Sequence, residues 1–294
     1  MFKKRLFWLV PVLLLLVGCQ TTKSQQSSKA TTKIQVVTST PTYAQMARKI
    51  GGGQVAVTSL ISNPNADPHD FEPSVQDAKK ASQAAVAIYN GLGYDSWMNK
   101  LLVNNEQVHK INIGQLMNKK TGDNPHIWYE PKALPAAANQ LARELSAQRP
   151  AKKNYFEKNA QKYIADLKPI NEQLQTIKQK RQLKQVAVSE PVFDYSLAAM
   201  GYEIVDADFA KAVESGSDPA PKDVEALQEL IKKREIAFFV VNKQTTNPVV
   251  GNLTKLAQQH QVPIVKVSET QPAGQTYQQW MQKQYQQVLK IEAH

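Results

Sequence analysis

The chain has 294 residues, roughly twice the length of a typical domain, so we expect two domains. With 42% hydrophobic and 21% charged residues it has an ordinary globular composition, which excludes a largely disordered or collagen-like chain. A single cysteine excludes an internal disulfide and any metal site built from several thiolates. The net charge is +11, and three of the basic side chains lie in residues 3–5. The remaining positive charge is spread over Lys- and Gln-rich helices rather than a block, and no nucleic-acid-binding motif accompanies it. Lysines facing an anionic cell envelope explain it more simply, and nucleic acid is not an expected partner.

Residues 1–18 have the pattern of a secretory signal peptide. A basic segment, 3–5, precedes an apolar run, 6–17, that is too short to form a stable membrane-spanning helix. Leu16-Val17-Gly18-Cys19 resembles the bacterial lipobox, in which the cysteine is lipidated and becomes the new N-terminus after cleavage. The sequence therefore predicts a lipid anchor at Cys19 on the extracytoplasmic face of a bacterial membrane. A buried free thiol is the alternative.

The next segment, 19–33, is polar and low in complexity, which is typical of a flexible tether. After it, short β-branched runs alternate with helical patterns, and four such runs occur in each half of the chain. The predicted strands span residues 34–39, 55–61, 85–89, 108–113, 186–189, 202–207, 236–241 and 262–267. This pattern predicts an α/β fold with two lobes, each built on a mostly parallel four-stranded sheet.

No strand pattern occurs between residues 132 and 182. Apolar residues recur there at helical spacing, which predicts a helix from about Pro135 and a long one over about 151–180 that Pro169 bends or breaks. We therefore expect a first lobe over 34–134, linking helices over 135–183 that include a long rigid helix, and a second lobe over 184–294. The alternative is a pair of surface helices in one large domain.

Two of the five histidines occur in matching contexts. His69 follows the second predicted strand and His126 the fourth, and each is a Pro–His pair followed by Glu–Pro before a predicted helix. A proline-restricted loop lowers the entropy that is lost when an imidazole is held in place, as metal ligation requires. Either histidine alone would be interpreted as a hydrogen-bonded loop residue. The repeated context favours metal ligation by both.

The second lobe supplies two carboxylates in equivalent positions. Glu190 and Glu269 each follow a serine at the carboxyl end of a predicted strand, where open α/β sheets place ligand sites. A helix cap or a salt bridge is the alternative role for each. Two imidazoles and two carboxylates form a mixed nitrogen and oxygen site suited to Mn, Zn or Fe. The carboxylates of Asp67, Asp70 and Asp194 are candidates to orient an imidazole by accepting its second ring N–H.

These motifs resemble the cluster A-I metal-binding solute receptors of ABC transporters, a family of zinc and manganese receptors also described as lipoprotein adhesins. The resemblance extends from the lipobox to the end of the chain. It rests on residues 67–74, 90–97, 124–128, 189–195 and 217–223. It implies a rigid helix between the lobes and a metal ion between them.

By this resemblance, His69 and His126 are the first-lobe ligands and Glu190 matches the carboxylate of manganese-type members. At the position of Glu269 the family usually has aspartate, whose side chain is one methylene shorter. The acid- and histidine-rich loop of many zinc receptors is absent from residues 102–123. These features favour manganese slightly over zinc.

The expected protein is a monomeric, lipid-anchored receptor that captures a divalent transition metal and delivers it to an ABC permease, without catalysing a reaction. One alternative is a surface adhesin in which the metal is structural. Another is a metallohydrolase, in which Glu72 or Glu130 would serve as a general base beside an open metal position. Growth of a deletion strain under metal limitation separates transport from adhesion.

Overall fold

The computed structural model describes residues 32–63 and 71–293, together with Phe2. Lys33–His294 forms one compact unit. The predicted anchor at Cys19 and, apart from Phe2, the predicted signal peptide lie outside the described residues, as do tether residues 19–31. Within the described part of the chain, no helix is both long enough and apolar enough to cross a membrane.

Eight strands alternate with helices along the described residues. The strands are β1 (Ile34–Thr38), β2 (Val55–Ser59), β3 (Val86–Tyr89), β4 (His109–Asn112), β5 (Gln185–Val188), β6 (Glu203–Ile204), β7 (Phe239–Asn242) and β8 (Ile264–Val267). The helices are α1 (Pro41–Gly51), α2 (Val75–Ser82), α3 (Trp97–Leu101), α4 (Ile113–Leu116), α5 (Ala133–Gln148), α6 (Lys153–Asp166), α7 (Lys168–Lys180), α8 (Asp194–Met200), α9 (Ala207–Glu214), α10 (Pro221–Lys233), α11 (Pro248–Gln259) and α12 (Tyr277–Ile291).

The strands form two four-stranded sheets, with the orders β2-β1-β3-β4 and β6-β5-β7-β8. All strand pairs are parallel, with Ile34 opposite Val55 in the first sheet and Phe239 opposite Ile264 in the second. Each predicted strand overlaps an observed one, and the predicted α/β fold with two parallel four-stranded sheets is confirmed. We refer to the regions around the first and second sheets as the first and second lobes.

Strand β6 is shorter than the sequence predicts because a side chain replaces the backbone at its end. The Val205 N–H still donates to the Val186 carbonyl at 3.1 Å. The Val188 N–H instead donates to the carboxylate of Asp206, at 3.1 Å to each oxygen. The backbone ladder therefore stops at this point, and α9 begins with the next residue, Ala207.

The single helix predicted over 151–180 is divided in the structure. A 3-10 turn over Pro150–Lys152 leads into α6, and α7 begins after Leu167. The break falls at Pro169 because proline lacks an N–H and its ring clashes with the carbonyl four residues earlier. Both helices keep the predicted apolar face, which includes buried Phe156 and Tyr163 in α6.

Buried aromatic residues join the two lobes. The Tyr129 ring lies 5.3 Å from Phe193 and 5.5 Å from Trp280, measured between centroids. The Tyr129 hydroxyl donates to the Ser268 carbonyl at 2.6 Å, and the Tyr277 hydroxyl donates to the Trp128 carbonyl at 2.7 Å. Removing the hydroxyl of either tyrosine would leave its carbonyl acceptor across the interface without this partner, at a cost of about 1–3 kcal/mol.

Candidate metal centre

Three of the four predicted ligands lie in the described residues, and each follows a strand. Glu190 is two residues beyond β5 and Glu269 is two residues beyond β8. His126 lies beyond β4 and α4, directly before the 3-10 turn Ile127–Tyr129. His69 and the orienting candidates Asp67 and Asp70 fall in residues 64–70, which lie outside the described part of the chain.

The loop that carries His126 is held by the buried side chain of Asn90. The Asn90 Nδ2 donates to the Pro125 carbonyl at 2.7 Å, one residue before the histidine. The Asn90 Oδ1 accepts from the Tyr43 hydroxyl at 2.6 Å. Moving this buried side chain would break both hydrogen bonds. Asn90 therefore holds the backbone next to His126 in position.

A tight turn after β3 places Asn90. Gly91 has a φ of 79° and Gly93 a φ of 93°, backbone conformations that favour glycine. A Cβ on Gly91 would also clash with the Asn112 side chain. Fully buried Asp95 closes the turn by accepting the backbone N–H groups of Asn90 at 2.6 Å and Gly91 at 2.8 Å. The motif Asn90-Gly-Leu-Gly-Tyr-Asp therefore supports the His126 loop.

The His126 ring is 1% exposed and has a defined hydrogen-bonding partner. The Asn124 Oδ1 accepts the His126 backbone N–H at 2.9 Å and lies 2.9 Å from the His126 Nδ1. Since an amide oxygen can only accept, Nδ1 carries the proton in this arrangement. The lone pair is then on Nε2, the nitrogen through which a neutral imidazole can bind a metal ion.

Two aromatic rings enclose the imidazole. The centroid of the Trp128 ring lies 5.4 Å from that of His126, and the centroid of the Tyr94 ring lies 6.3 Å away. Tyr94 and Trp128 also contact each other, with 4.9 Å between ring centroids. Rings on this side limit access of water to the imidazole and restrict its orientation.

Glu269 of the second lobe reaches the same aromatic group. Its Oε1 accepts a hydrogen bond from the Tyr94 hydroxyl at 3.0 Å, and its backbone N–H donates to the Gln244 Oε1 at 2.6 Å. The residue is 8% exposed. A buried carboxylate therefore lies across the lobe interface from His126, with one tyrosine in contact with both.

A carboxylate that we did not predict, Glu214 at the end of α9, lies beside His126. Its Oε1 is 3.7 Å from the His126 Nδ1. The same oxygen is buried and has no hydrogen-bond partner among the described residues. Burial, together with the negative charge of Glu190, raises the pKa of Glu214 to about 7. Glu190 itself accepts a hydrogen bond from the Asn242 side chain.

Two further carboxyl groups are buried near these residues. Burial and the charge of Glu214 raise the pKa of Asp194 to about 7, against the opposing effect of a hydrogen bond from Asn124. Burial also raises the pKa of Asp206 to about 8. This side of the lobe interface is therefore crowded with acids whose ionised forms are poorly stabilised, and a nearby cation would favour ionisation.

Described residues alone do not complete a metal site. Across residues 32–63 and 71–293, no three His, Cys, Asp or Glu side chains are grouped so that they could hold a metal ion. The predicted ligand set includes His69, which lies outside those residues. The set of His69, His126, Glu190 and Glu269 therefore stays a prediction.

The contacts around His126 differ from the predicted supporting residues in two respects. Among the described residues, Asn124 contacts the His126 Nδ1, whereas Asp194 faces Asn124 and Glu214. An Asn two residues before a histidine is a local signal that sequence analysis could have used. Glu214 carries no such signal, because only the packing of α9 brings it to the site.

A family model and individual relatives of known name both match this chain over most of its length. Residues 36–290 match the family described as "Zinc-uptake complex component A periplasmic". The metal ABC transporter substrate-binding lipoprotein ScbA of Streptococcus cristatus is 27% identical over 273 residues, which cover 86% of each chain. The manganese ABC transporter substrate-binding lipoprotein PsaA of Streptococcus pneumoniae strain TIGR4 is 24% identical over 286 residues, or 90% of each chain.

Solved structures share the fold at lower identity. The periplasmic zinc binding protein TroA from Treponema pallidum has a TM-score of 0.74 and 18% identity, covering 90% of this chain and 100% of its own. A manganese-bound mutant of a periplasmic metal binding protein from Candidatus Liberibacter asiaticus has a TM-score of 0.72 and 16% identity, covering 88% and 99%. The family match spans most of the chain, so this protein belongs to the zinc-uptake complex component A family.

Proposed function

We propose that this protein is an extracytoplasmic receptor, anchored through a lipid on Cys19, that binds Mn²⁺ or Zn²⁺ and delivers it to an ABC permease. Family membership supports a binding role rather than a catalytic one. The names of the curated relatives describe metal and manganese ABC transporter substrate-binding lipoproteins, which supports the cargo, the anchor and the permease partner.

The proposed ligands are His69 and His126 from the first lobe and Glu190 and Glu269 from the second. The observation that carries this proposal is the setting of His126. Its imidazole is buried at the lobe interface, and Asn124 orients it through Nδ1 so that the lone pair is on Nε2. An outer hydrogen bond that fixes the tautomer and the orientation of an imidazole in this way is typical of metal-ligating histidines.

Four protein ligands are sufficient for a closed tetrahedral site, as a receptor that performs no chemistry requires. If a carboxylate binds through both oxygens, the coordination number rises, which suits manganese. The carboxylates near His126 favour manganese slightly as the physiological cargo. Zinc nevertheless binds more tightly than manganese to most sites of this type, so affinity in vitro does not identify the cargo.

Thermal stabilisation of the metal-stripped protein by added metal tests the binding site. The form beginning at Gln20 is suitable because Lys33–His294 is a compact unit by itself. A metal at 100 times its dissociation constant stabilises the native state by about 2.7 kcal/mol. We expect such a rise with Mn²⁺ and Zn²⁺, little effect of Mg²⁺, and loss of the rise in His126→Ala.

His109→Ala is the matched control. His109 is 42% exposed, its Nδ1 lies 2.7 Å from the Glu144 carboxylate, and it is not one of the proposed ligands. Its removal should leave metal stabilisation unchanged. Equal stabilisation of His126→Ala and the parent would overturn the ligand assignment. No stabilisation of the folded, metal-free parent by any transition metal would overturn the receptor function itself.

A growth experiment tests the cargo and the transport step. A deletion strain complemented with the parent gene should grow in medium limited for manganese, and one complemented with the His126→Ala gene should not. Restoration of growth by zinc alone would identify zinc as the cargo instead. Normal growth of the deletion strain when either metal is limiting would contradict a role in uptake.

A further inference from the structure

The positive charge of the folded part of the chain is concentrated on the linking helices. Residues 149–184 contain ten basic and three acidic side chains, a net charge of +7. The rest of residues 32–294 carries a net charge of −1. The sequence predicts positive charge spread over Lys- and Gln-rich helices. In the folded part, the excess falls on one segment, which consists of α6, α7 and the residues that flank them.

The lysines of this segment are exposed to solvent. We define the basic face as Lys152, Lys153, Lys158, Lys162, Lys168, Lys178, Lys180 and Lys184, all exposed. Three of them form ion pairs with acids one turn away, at distances between 3.4 and 3.8 Å. The other five have no acidic partner within the described part of the chain. Both helices bury an apolar stripe in the core, and the eight lysines lie on the solvent-exposed surface of this segment.

One end of the basic face lies close to the point from which the chain continues to the predicted anchor. Lys33 precedes β1, whose first residue, Ile34, pairs with Val55. The adjacent residue Gln54 accepts a hydrogen bond from Arg149, just before the basic face begins, at 2.6 Å. The thirteen residues 20–32 can span at most about 45 Å, so the anchor keeps this end of the domain near the membrane.

We propose that the basic face binds the anionic phospholipid headgroups of the membrane that carries the anchor. This inference relies on the proposed lipid anchor for proximity, and on charge complementarity for the contact itself. A lysine near an anionic membrane surface strengthens binding about fivefold, and the tether raises the effective concentration of the headgroups. The contact leaves Glu190 and Glu269 uncovered, because they follow the carboxyl ends of β5 and β8 whereas the tether joins the amino end of β1.

Co-sedimentation with vesicles tests the basic face separately from the lipid. The form beginning at Gln20 is mixed with vesicles of about 30% phosphatidylglycerol and 70% phosphatidylcholine, or of phosphatidylcholine alone. We expect binding only to the anionic vesicles at about 50 mM NaCl and loss of binding at about 500 mM, because salt screens exposed charges. The variant Lys158→Gln/Lys178→Gln/Lys180→Gln should bind roughly a hundredfold more weakly.

A control variant with the same change in total charge isolates the position of the lysines. Lys222, Lys255 and Lys266 are exposed in the second lobe and do not belong to the basic face. The variant Lys222→Gln/Lys255→Gln/Lys266→Gln should bind within about twofold of the parent. Equal weakening by the two triple variants would overturn the proposal, as would absence of binding to anionic vesicles. Binding of soluble polyphosphate without binding to vesicles would also overturn it, in favour of a soluble polyanion.

The two proposals fail in different measurements. Thermal stabilisation by Mn²⁺ or Zn²⁺ reports the metal site and should be the same in the parent and in both lysine variants. If that stabilisation persists while vesicle binding is absent, only the membrane contact is wrong. If vesicle binding persists without metal stabilisation, only the receptor function is wrong.

Discussion

The two sides of the lobe interface around His126 satisfy their polar groups very differently. On the first-lobe side, the histidine and the loop that carries it are held by the side chains of Asn90 and Asn124. On the second-lobe side, Glu214 and Asp194 each have a buried oxygen without a hydrogen-bond partner among the described residues. One side has an ordered set of hydrogen bonds, and the other has an excess of poorly stabilised negative charge.

This difference suggests separate contributions to metal binding. An imidazole that is already oriented loses little entropy when it binds a metal. Buried carboxylates that repel each other gain when a divalent cation arrives, so they supply affinity at the expense of stability without metal. Substitutions on the first-lobe side should therefore mainly lower the free energy of unfolding. Substitutions of the second-lobe carboxylates should weaken metal binding and stabilise the metal-free protein.

The largest effect is expected on the ordered side, from Asn90→Ala. This substitution removes the partners of the Tyr43 hydroxyl and the Pro125 carbonyl, so we expect a loss of about 3 kcal/mol in the free energy of unfolding. Urea denaturation of the metal-free protein measures it. Exposed Asn99 provides the control, since its side chain makes no hydrogen bond within the described part of the chain and Asn99→Ala should cost less than about 0.5 kcal/mol. A loss below about 1 kcal/mol for Asn90→Ala would contradict the supporting role of this side chain.

On the charged side, Glu214→Gln should change binding and stability in opposite directions. Loss of the carboxylate beside the His126 Nδ1 should weaken metal binding tenfold to a hundredfold, about 1.4–2.7 kcal/mol. The metal-free variant should be more stable than the parent at about pH 8, because the burial of a charged carboxylate and its repulsion with Glu190 are both removed. Competition with a fluorescent chelator measures the affinity, and thermal unfolding measures the stability.

The matched control for Glu214→Gln is Glu225→Gln, which removes the same charge from an exposed position on α10. It should change neither quantity by more than about 0.5 kcal/mol. Equal affinities of Glu214→Gln and Glu225→Gln for metal would refute the contribution of Glu214. Adding Asn124→Asp to Glu214→Gln should restore part of the affinity, because it places a carboxylate against the same ring nitrogen.

The effect expected from Asp206→Asn depends on pH. The pKa of Asp206 is about 8 in the fold and near 4 in an unfolded chain, so the native state binds the extra proton between these values. The contribution of Asp206 to the free energy of unfolding is therefore fully present at low pH and is lost as the pH rises towards 8. Asn keeps the acceptor for the Val188 N–H without titrating, so the variant should gain up to about 3 kcal/mol over the parent between about pH 5.5 and 8.5.

Thermal unfolding of the metal-free protein across this pH range measures the effect of Asp206→Asn. Asp208→Asn changes an exposed acid two residues away in the same helix and should leave the pH dependence unchanged. A parent protein that becomes more stable as the pH rises through this range would show that the buried acids of the second lobe are not destabilising when ionised.

Much of the fold was predictable because it depends on local pattern. Runs such as residues 86–89 are fully buried and rich in apolar side chains. Their regular alternation with helical patterns along the chain identifies parallel strands separated by helices. The break near Pro169 was predictable from the covalent structure of proline. The length of β6 was not, because it depends on the Asp206 carboxylate taking the N–H of a residue on β5.

The site was predictable only in part for a related reason. Three ligands could be proposed because each lies in a recognisable motif after a predicted strand, and the sequence pattern shows where a strand ends. They are His126, Glu190 and Glu269. Glu214 could not be found, since nothing in its own helix distinguishes it from a solvated acid. Tyr94 belongs to a motif that we noted, but its hydrogen bond to Glu269 joins residues of different lobes.

The sequence by itself determined the α/β class, the two sheets, the linking helices and the residue types suited to a transition metal. These follow from hydrophobic period, proline and glycine positions, and the chemistry of imidazole and carboxylate groups, all of which are local properties. Tertiary structure alone decided which acids are buried together, that Glu214 lies beside His126 and that Tyr94 of the first lobe contacts Glu269 of the second. Those depend on distances between groups far apart in the chain, and burial turns such distances into pKa shifts and hydrogen-bond requirements.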